Sequence, residues 1–166
     1  RFRKEIDDRA EDSESYSVSL PVDIVLFEGW CVSARAESET LLMKAINEFE
    51  ADLDKDGKWR RYVNDCLEGE YRNLFALVDH TIMLRVPDFG CILKWRMEQE
   101  DKLSFRCNPL RDGAKHHFMS EAELRYFIAH FERLTRWMLK DMPSFAEIIL
   151  DFNEDRSFRD LMIKDG

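Results

Sequence analysis

The stretch DIVLFEGW, residues 23–30, decides how the fold is interpreted. Its apolar residues are continuous and do not alternate with polar ones, which is typical of a strand covered on both faces in a parallel sheet. We therefore predict a first buried strand over Val22–Phe27. Glu28 ends this strand and Gly29 follows it, so the backbone can turn sharply and a ligand can approach closely. Because ligands bind beyond the carboxyl ends of strands in open parallel sheets, Glu28 is a candidate site residue, with a surface carboxylate at a strand end as the alternative.

Composition limits the class of protein. The chain has 166 residues, of which 45% are hydrophobic and 12% aromatic, and this predicts one domain, residues 1–166, with a sizeable core. A formal net charge of -9 would repel a phosphate backbone and an anionic membrane, so neither nucleic acid nor membrane is an expected partner. The four cysteines form no C-x-x-C pair and lie mostly in apolar patterns. Reduced thiols and a cytoplasmic location are therefore expected.

Two amphipathic helices are predicted in the first half of the chain. From Thr40 the apolar residues recur with the helical period, and the pattern continues to Val78 with one break at DLDKDG, residues 52–57. This hexapeptide matches the first half of a calcium-binding loop, but Val63 occupies the twelfth position, where a bidentate Glu is required. We therefore interpret the break as a polar helix junction.

Strands and helices alternate in the second half of the chain. A second apolar strand is predicted over Thr81–Val86 and a third over Ala146–Phe152, after which a short charged helix ends the chain. Between them we predict a helix over residues 89–102, a loop over residues 104–119 and a long helix that opens at the capping box Ser120–Glu123. The alternation predicts a layered α/β fold with right-handed crossovers between parallel strands.

Three arginines are stronger candidates for ligand contacts than the two adjacent histidines. Arg96 lies on the helix after the second predicted strand, and Arg133 and Arg136 lie on the long helix, all three off the main apolar stripes. Guanidinium groups suit phosphate and carboxylate oxygens, so these residues are candidate ligand contacts, with solvated helix charges as the alternative. The adjacent His116 and His117 are only a weak metal signal, because neighbouring residues seldom face one ion. A solvated loop is the preferred interpretation there.

Several segments together resemble one family in order and spacing. The segments are PVDIVLFEGWCVSA, INEFEADLDKDGKWRRYVN, YRNLFALVD, ILKWRMEQEDKL and MSEAELRYFIAHFERLTRWMLKDMP. In combination they are similar to the glycerate kinase-like P-loop kinases, relatives of uridine kinase and phosphoribulokinase. The resemblance covers nearly the whole chain and is specific only as a combination.

The resemblance implies a P-loop kinase-type three-layer α/β fold with a mostly parallel sheet, here incomplete at its amino terminus. It implies ATP and Mg²⁺ as cofactors, a small hydroxy acid such as D-glycerate as the acceptor, and a lid or helical insert at residues 88–119. Arg96 in KWRMEQE matches a lid arginine that closes over the phosphates. Arg133 and Arg136 fit the same pattern as further cofactor contacts.

The resemblance also implies catalytic and acceptor-side residues. Glu28 would close the Walker B strand, near Mg²⁺ or the attacking hydroxyl, and Asp8 is the second implied catalytic carboxylate. Asp7, Asp8 and Arg9 in the sequence IDDR match an acceptor-side loop. Trp30 is an implied substrate contact beside them.

The departures from the family pattern carry equal weight. No G-x-x-x-x-G-K-[ST] motif exists, because the only Gly-Lys is Gly57-Lys58 and Asp52 occupies the earlier glycine position. Without that loop the phosphates lack a nest of backbone N–H groups and a lysine, so we expect this polypeptide alone to bind ATP poorly and to be inactive. The missing part would precede Arg1. Arg3 stands where the family has aspartate, and Ser33 stands where it tends to have glycine.

Two classes of function remain open from the sequence. The first is an ATP-dependent phosphotransferase when complete, and the alternative is a non-catalytic pseudokinase or interaction protein derived from this fold. A nucleotide hydrolase is not favoured, because nothing resembles a water-positioning switch. In the intact fold the P-loop strand would lie between Val22–Phe27 and Thr81–Val86. We therefore predict that these two segments either pair directly or leave an open slot.

Overall fold

The structure of the chain is a computed structural model that describes residues 2–3, 8–9, 11, 16–106 and 119–164. In chain order the elements are β1 (Phe2–Arg3), β2 (Asp8–Arg9), α1 (Glu39–Leu42), α2 (Glu48–Leu53), α3 (Lys58–Cys66), a π-helical turn (Leu67–Tyr71), α4 (Arg72–Phe75), β3 (Ile82–Arg85), α5 (Gly90–Arg106), α6 (Glu121–Asp141), a 3-10 turn (Met142–Ser144), β4 (Ile148–Phe152) and β5 (Phe158–Ile163).

The structure also describes the helices with respect to membrane crossing and the state of three cysteines. In the described part of the chain, no helix combines the length and the apolar character that crossing a membrane requires. Cys31, Cys66 and Cys91 are free thiols, as expected, and Cys107 lies outside the described residues. Burial raises the pKa of the Cys31 thiol.

The main sheet has three strands in the order β3-β4-β5. β3 and β4 are parallel, with Ile82 opposite Ile148 and Arg85 opposite Asp151. The connection between them contains α5 and α6, as a crossover between parallel strands requires. The chain is therefore a mixed α/β fold, and the predicted parallel pairing of its second and third strands is confirmed.

The end of the chain differs from the prediction. A short charged helix was expected after Phe152, but the chain turns back and forms β5, which pairs antiparallel with β4. Asn153 donates its backbone N–H to the carbonyl of Ser157 at 2.9 Å, and Arg156 takes a left-handed φ of 67° in the turn. β5 is a strand because this hairpin gives its backbone groups hydrogen-bond partners in β4, which outweighs the helical preference of a charged segment.

The first half of the chain contains shorter helices than the pattern predicts. The first predicted helix is divided into α1 and α2, whereas the second continues through the π-helical turn into α4. The junction at DLDKDG is confirmed, and Gly57 takes a left-handed φ of 67° immediately before α3. The Asp54 carboxylate accepts the backbone N–H groups of Trp59 at 2.9 Å and Arg60 at 3.1 Å. Asp54 therefore caps α3.

The two helices before β4 begin close to their predicted positions. α5 continues past its predicted end to Arg106, and the rest of the predicted loop, with His116 and His117, lies outside the described residues. α6 begins at the capping box, where Ser120 and Glu123 each accept the other's backbone N–H. The far end of α6 packs on the sheet. The core there consists of Met83, Met142, Ala146 and Ile149, with Met138, Leu139 and Phe145 against it.

The strand predicted over Val22–Phe27 is not formed. The segment has no regular secondary structure and pairs with no strand of the described chain. Its side chains face solvent, and Val25 is 76% and Leu26 88% exposed. An apolar run becomes a strand only where a neighbouring strand supplies its hydrogen bonds, and β3 does not pair with it here. Direct pairing of this segment with β3, one of the two predicted outcomes, is therefore not found in the described residues.

One face of the main sheet is covered and the other is open. Met83 in β3 is 5% exposed beneath α6, whereas Leu84, on the opposite face, is 63% exposed. The strand register places two rows of aliphatic side chains across the open face. The rows are Ile82, Ile148 and Ile163, and Leu84, Leu150 and Leu161. Cover on both faces was expected and is found on one face only within the described residues.

Ser33 occupies a backbone position that favours glycine. Its φ of 62° lies in the left-handed region, where a residue with a Cβ is disfavoured by about 1–2 kcal/mol. Its Oγ lies 3.3 Å from Thr81 Oγ1. We expect Ser33→Gly to be more stable than Ser33→Ala by about 1 kcal/mol, because both variants lose the hydroxyl contact and only glycine relieves the strain. Urea denaturation of the two variants measures the difference, and equal stability would contradict this explanation.

Candidate active site at the carboxyl edge of the sheet

β3 and β4 end at the same edge of the sheet, which we call the carboxyl edge. Arg85 ends β3 there, Asp151 lies opposite it in β4, and the chain leaves β3 toward Phe89 and the start of α5. Ligands of open parallel sheets bind at this edge, beyond the strand ends. We therefore describe where each predicted site residue lies relative to the carboxyl edge.

Trp30 is held against α6. The 3-10 turn joins α6 to the amino end of β4, so α6 runs antiparallel to β3 and β4. Met142 packs on Met83, and the earlier turns of α6 therefore lie nearer the carboxyl edge. In those turns Thr135 Oγ1 accepts the indole N–H of Trp30 at 2.9 Å, and the Phe131 ring meets the indole edge to face at 5.0 Å.

Glu28 lies two residues before Trp30, in a segment without regular secondary structure that precedes the turn at residues 30–33. Its side chain is exposed, and it makes no hydrogen bond or ion pair with another residue of the described chain. The predicted strand before it is absent, and the next side-chain hydrogen bond along the described chain is that of the Trp30 indole. With no partner among the described residues, this carboxylate is available to a ligand or a cation. Its catalytic and metal-binding roles stay predictions.

Two of the predicted cofactor arginines lie on the helices that border the carboxyl edge. The guanidinium of Arg136 lies over the Phe89 ring at 5.2 Å and donates to Glu132 at 2.7 Å. Arg96 donates to two side chains on the next turn of α5, at 2.5 and 2.6 Å. Arg136 is thus the predicted cofactor residue that the structure brings beside the first turn of α5. Nucleotide contact by either residue stays a prediction.

Arg133 is engaged inside the protein. Its guanidinium donates to both carboxylate oxygens of Glu50 at 2.7 Å and to Glu37 at 3.2 Å. The carbonyls of Leu41 and Lys44 accept at 3.3 and 2.6 Å, so each of the five N–H groups has an acceptor. Arg133 therefore joins α6 to the α1–α2 region and has no N–H left for the predicted cofactor contact. The sequence carried no signal for this role, because the partners lie more than 80 residues away.

The predicted acceptor-side residues lie in a separate ribbon. β1 and β2 pair antiparallel, with Arg3 opposite Asp8 and Phe2 opposite Arg9, and this ribbon does not join the main sheet. Asp7 lies outside the described residues. The acceptor-side roles of Asp7, Asp8 and Arg9 therefore stay predictions, and the start of the chain contains a short ribbon where a loop was expected.

Sequence reasoning missed an ion pair between Arg85 and Asp151 at the carboxyl edge. Arg85 Nε donates to Asp151 Oδ1 at 2.5 Å and Nη2 donates to Oδ2 at 2.7 Å. The Arg85 guanidinium holds the pKa of Asp151 below its ordinary value. The opposite charges at the ends of IMLR and IILD were a signal of this pair, but their pairing depends on the parallel register.

The lowered pKa of Asp151 predicts a pH dependence of stability. A carboxyl group with a lowered folded-state pKa stabilises the fold above its unfolded pKa, which is about 3.9 for Asp, and this stabilisation is lost as the pH falls through the folded value. We therefore expect the wild type to exceed Asp151→Asn in free energy of unfolding by a constant amount near neutral pH. The difference should shrink below about pH 4. Urea denaturation across pH 2.5–7 measures it, and a difference independent of pH would contradict the prediction.

Comparison with known proteins identifies a similar fold. No family model and no curated protein sequence matches the chain. Among solved structures, a D-glycerate 3-kinase from Cryptococcus neoformans var. grubii serotype A superposes with a TM-score of 0.66 at 20% sequence identity. The chain shares the fold of that kinase. The match covers 95% of this chain and 55% of the kinase chain, so this chain spans about half of the kinase's length.

A magnesium ion fits the chemistry of Glu28 in one mode only. No group of three or more His, Cys, Asp and Glu side chains comes together in the parts of the chain that the structure describes. Mg²⁺ in kinases keeps several waters and is bound by one or two carboxylates together with substrate phosphates. The exposed Glu28 carboxylate fits this mode, in which the nucleotide supplies the other ligands.

Proposed function

We propose that the full-length gene product containing this chain is an ATP-dependent phosphotransferase that acts on a hydroxyl of a small metabolite. D-glycerate is the first candidate acceptor, with ATP and Mg²⁺ as cofactors and the cytoplasm as the location. The observation that carries the proposal is the likeness in fold to a D-glycerate 3-kinase over 95% of the chain. The position of Arg136 over Phe89, which follows the carboxyl end of β3, supports it, because ligands bind at that edge.

In this proposal the chain contributes positioning and charge, which supply most of the catalysis in phosphoryl transfer. Glu28 would hold Mg²⁺ or orient the acceptor hydroxyl, and the bound ion would neutralise charge on the phosphates. The Trp30 indole would form a rigid wall beside the acceptor, since Thr135 and Phe131 already fix its ring. A fixed wall lowers the entropy lost when substrate is oriented.

The charged residues would act on either side of Glu28. Arg96 and Arg136 are the cations proposed for the phosphate side, and each would have to exchange its present carboxylate or amide partner for a phosphate oxygen. Asp7, Asp8 and Arg9 are proposed for the acceptor side, with Asp8 as a catalytic carboxylate. The lid is proposed to consist of residues 88–119.

A non-catalytic pseudokinase is the alternative proposal. One observation favours it: the N–H donors of Arg133 are all used within the protein. The coding sequence before Arg1 separates the two proposals. A glycine-rich loop ending in Lys-Ser or Lys-Thr within about 100 residues would favour the kinase, and an initiator Met close to Arg1 would favour the pseudokinase.

Substitution of Glu28 tests the proposed kinase. In the full-length gene product, Glu28→Gln is expected to lower kcat for ATP-dependent phosphorylation of D-glycerate by about 100-fold, because an amide neither accepts the hydroxyl proton nor binds Mg²⁺ as a carboxylate does. Coupled measurement of ADP release gives the rate. Glu39→Gln is the matched control, because Glu39 is an exposed carboxylate paired with Arg61 on a surface helix. Equal rates for the wild type and Glu28→Gln would contradict the role of Glu28.

A further inference from the structure

The ion pair between Arg85 and Asp151 fixes a guanidinium plane at the carboxyl edge. Both oxygens of Asp151 accept from Arg85, at 2.5 and 2.7 Å, and Asp151 is only 6% exposed on the central strand β4. A two-point contact of this kind determines both the position and the orientation of the planar guanidinium. The buried carboxylate of Asp151 thus fixes the orientation of the Arg85 guanidinium.

The Nη1 side of this guanidinium has no acceptor among the described residues. Arg85 Nε and Nη2 face Asp151, and no residue of the described chain accepts a hydrogen bond from Nη1. The Arg85 side chain is 29% exposed. The two N–H donors of Nη1 are therefore left for a ligand at a partly exposed side chain at the end of β3.

The surrounding charges show what kind of ligand such donors would bind. Asp151 offsets the charge of Arg85, Asp160 lies opposite Asp151 in β5, and Arg159 also influences the Asp151 carboxyl. No large positive field is present, so attraction at long range is weak. Directed hydrogen bonds from a preoriented guanidinium suit the oxygen atoms of phosphates and carboxylates.

We propose that Arg85, positioned by Asp151, binds an oxyanion at the carboxyl edge. The ligand oxygen belongs either to a phosphate or to a carboxylate, and both would accept from Nη1. This inference goes beyond the proposed kinase activity and does not depend on it, because an oxyanion can bind at Arg85 whether or not phosphate is transferred.

Side-chain NMR of the ¹⁵N-labelled chain tests the proposal. The Nε–Hε resonance of Arg85 is followed while pyrophosphate is added in one series and D-glycerate in another. A saturable shift with pyrophosphate identifies a phosphate site, and a saturable shift with D-glycerate identifies a carboxylate site. Absence of a saturable shift in both series would overturn the proposal.

Variants separate binding by Arg85 from a merely structural ion pair. The double variant Arg85→Gln with Asp151→Asn keeps a hydrogen bond between the two side chains and leaves no unpaired buried charge, so it is the variant expected to remain folded. Its dissociation constant for the binding anion, measured by calorimetry, is expected to rise roughly tenfold or more. Undiminished binding by this variant, with a native-like amide spectrum, would overturn the proposal.

Two further variants test positioning. Asp151→Asn keeps the cation but weakens the contact that orients it, so its dissociation constant should lie between those of the wild type and the double variant. Arg72→Gln removes an exposed arginine paired with Glu68 elsewhere on the surface and should leave anion binding unchanged. A loss of binding in Arg72→Gln equal to that in the double variant would show non-specific attraction and overturn the proposal.

Discussion

Arg133→Met is expected to lower the free energy of unfolding by about 3–5 kcal/mol, because it leaves two buried carboxylates without their cation. The side chain of Arg133 is 12% exposed, and those of Glu37 and Glu50 are each 9% exposed. Burial already raises the pKa of Glu37, and the charge of Arg133 only partly opposes this. Methionine fills the space of the arginine stem but supplies none of its five hydrogen bonds.

Urea denaturation at neutral pH measures the loss, with Arg136→Met as the matched control. Arg136 lies on the same helix and is paired with Glu132, but it is more than half exposed, so its replacement should cost about 1 kcal/mol or less. The deficit of Arg133→Met should also shrink as the pH falls. Carboxyl groups left with a raised folded-state pKa favour the fold when protonated, and this advantage is lost as the pH rises through that value. Equal losses for the two variants would contradict a structural role for Arg133.

Ile149→Ala is expected to lower the free energy of unfolding by about 2–5 kcal/mol. Ile149 is 1% exposed in the central strand, where it packs with Met83, Met142 and Ala146 beneath α6. Removing its methyl groups takes away buried apolar contacts and leaves a cavity that the surrounding core fills only in part.

Ile82→Ala is the control for Ile149→Ala, because it makes the same chemical change on the open face of the sheet. Ile82 is 52% exposed, so its truncation should cost about 1 kcal/mol or less. Thermal or urea unfolding of the two variants of this chain measures both values. A loss at Ile82 as large as that at Ile149 would show that the open face is covered, which the fold described above excludes.

Local signals in the sequence predicted several parts of the fold correctly. The capping box at Ser120 and Glu123, the helix junction at residues 52–57 and the apolar runs that became β3 and β4 each depend on interactions within a few residues. Such features are visible in sequence because the partner atoms lie in the same short segment. The parallel pairing of β3 and β4 followed from the alternation of strands and helices.

The wrong predictions concern structure that depends on distant partners. Val22–Phe27 has the composition of a buried strand, but no strand of the described chain pairs with it. β5 was predicted to be a helix because its segment is charged and the turn at Arg156, which carries no glycine, was not recognised in the sequence. In both segments the order of apolar and polar residues is known from the sequence. Whether a strand forms depends instead on whether its backbone N–H and C=O groups find hydrogen-bond partners.

The candidate site was predictable only in part for the same reason. Trp30 was predicted near the site from its place after Glu28, but its anchor Thr135 lies 105 residues away. Arg133 and Arg136 look alike in sequence, and only the structure shows that one is enclosed by carboxylates while the other lies over an aromatic ring. The pairing of Arg85 with Asp151 required the strand register.

Phosphoryl transfer by the full-length gene product is the most direct test of the proposed kinase. ATP consumption is measured in the presence of Mg²⁺ against a panel of small hydroxy acids and nucleosides that includes D-glycerate. The proposal predicts ATP turnover that requires an acceptor hydroxyl, with a phosphorylated acceptor as the product. Absence of turnover with every acceptor, by a protein that is folded and contains a phosphate-binding loop, would contradict it.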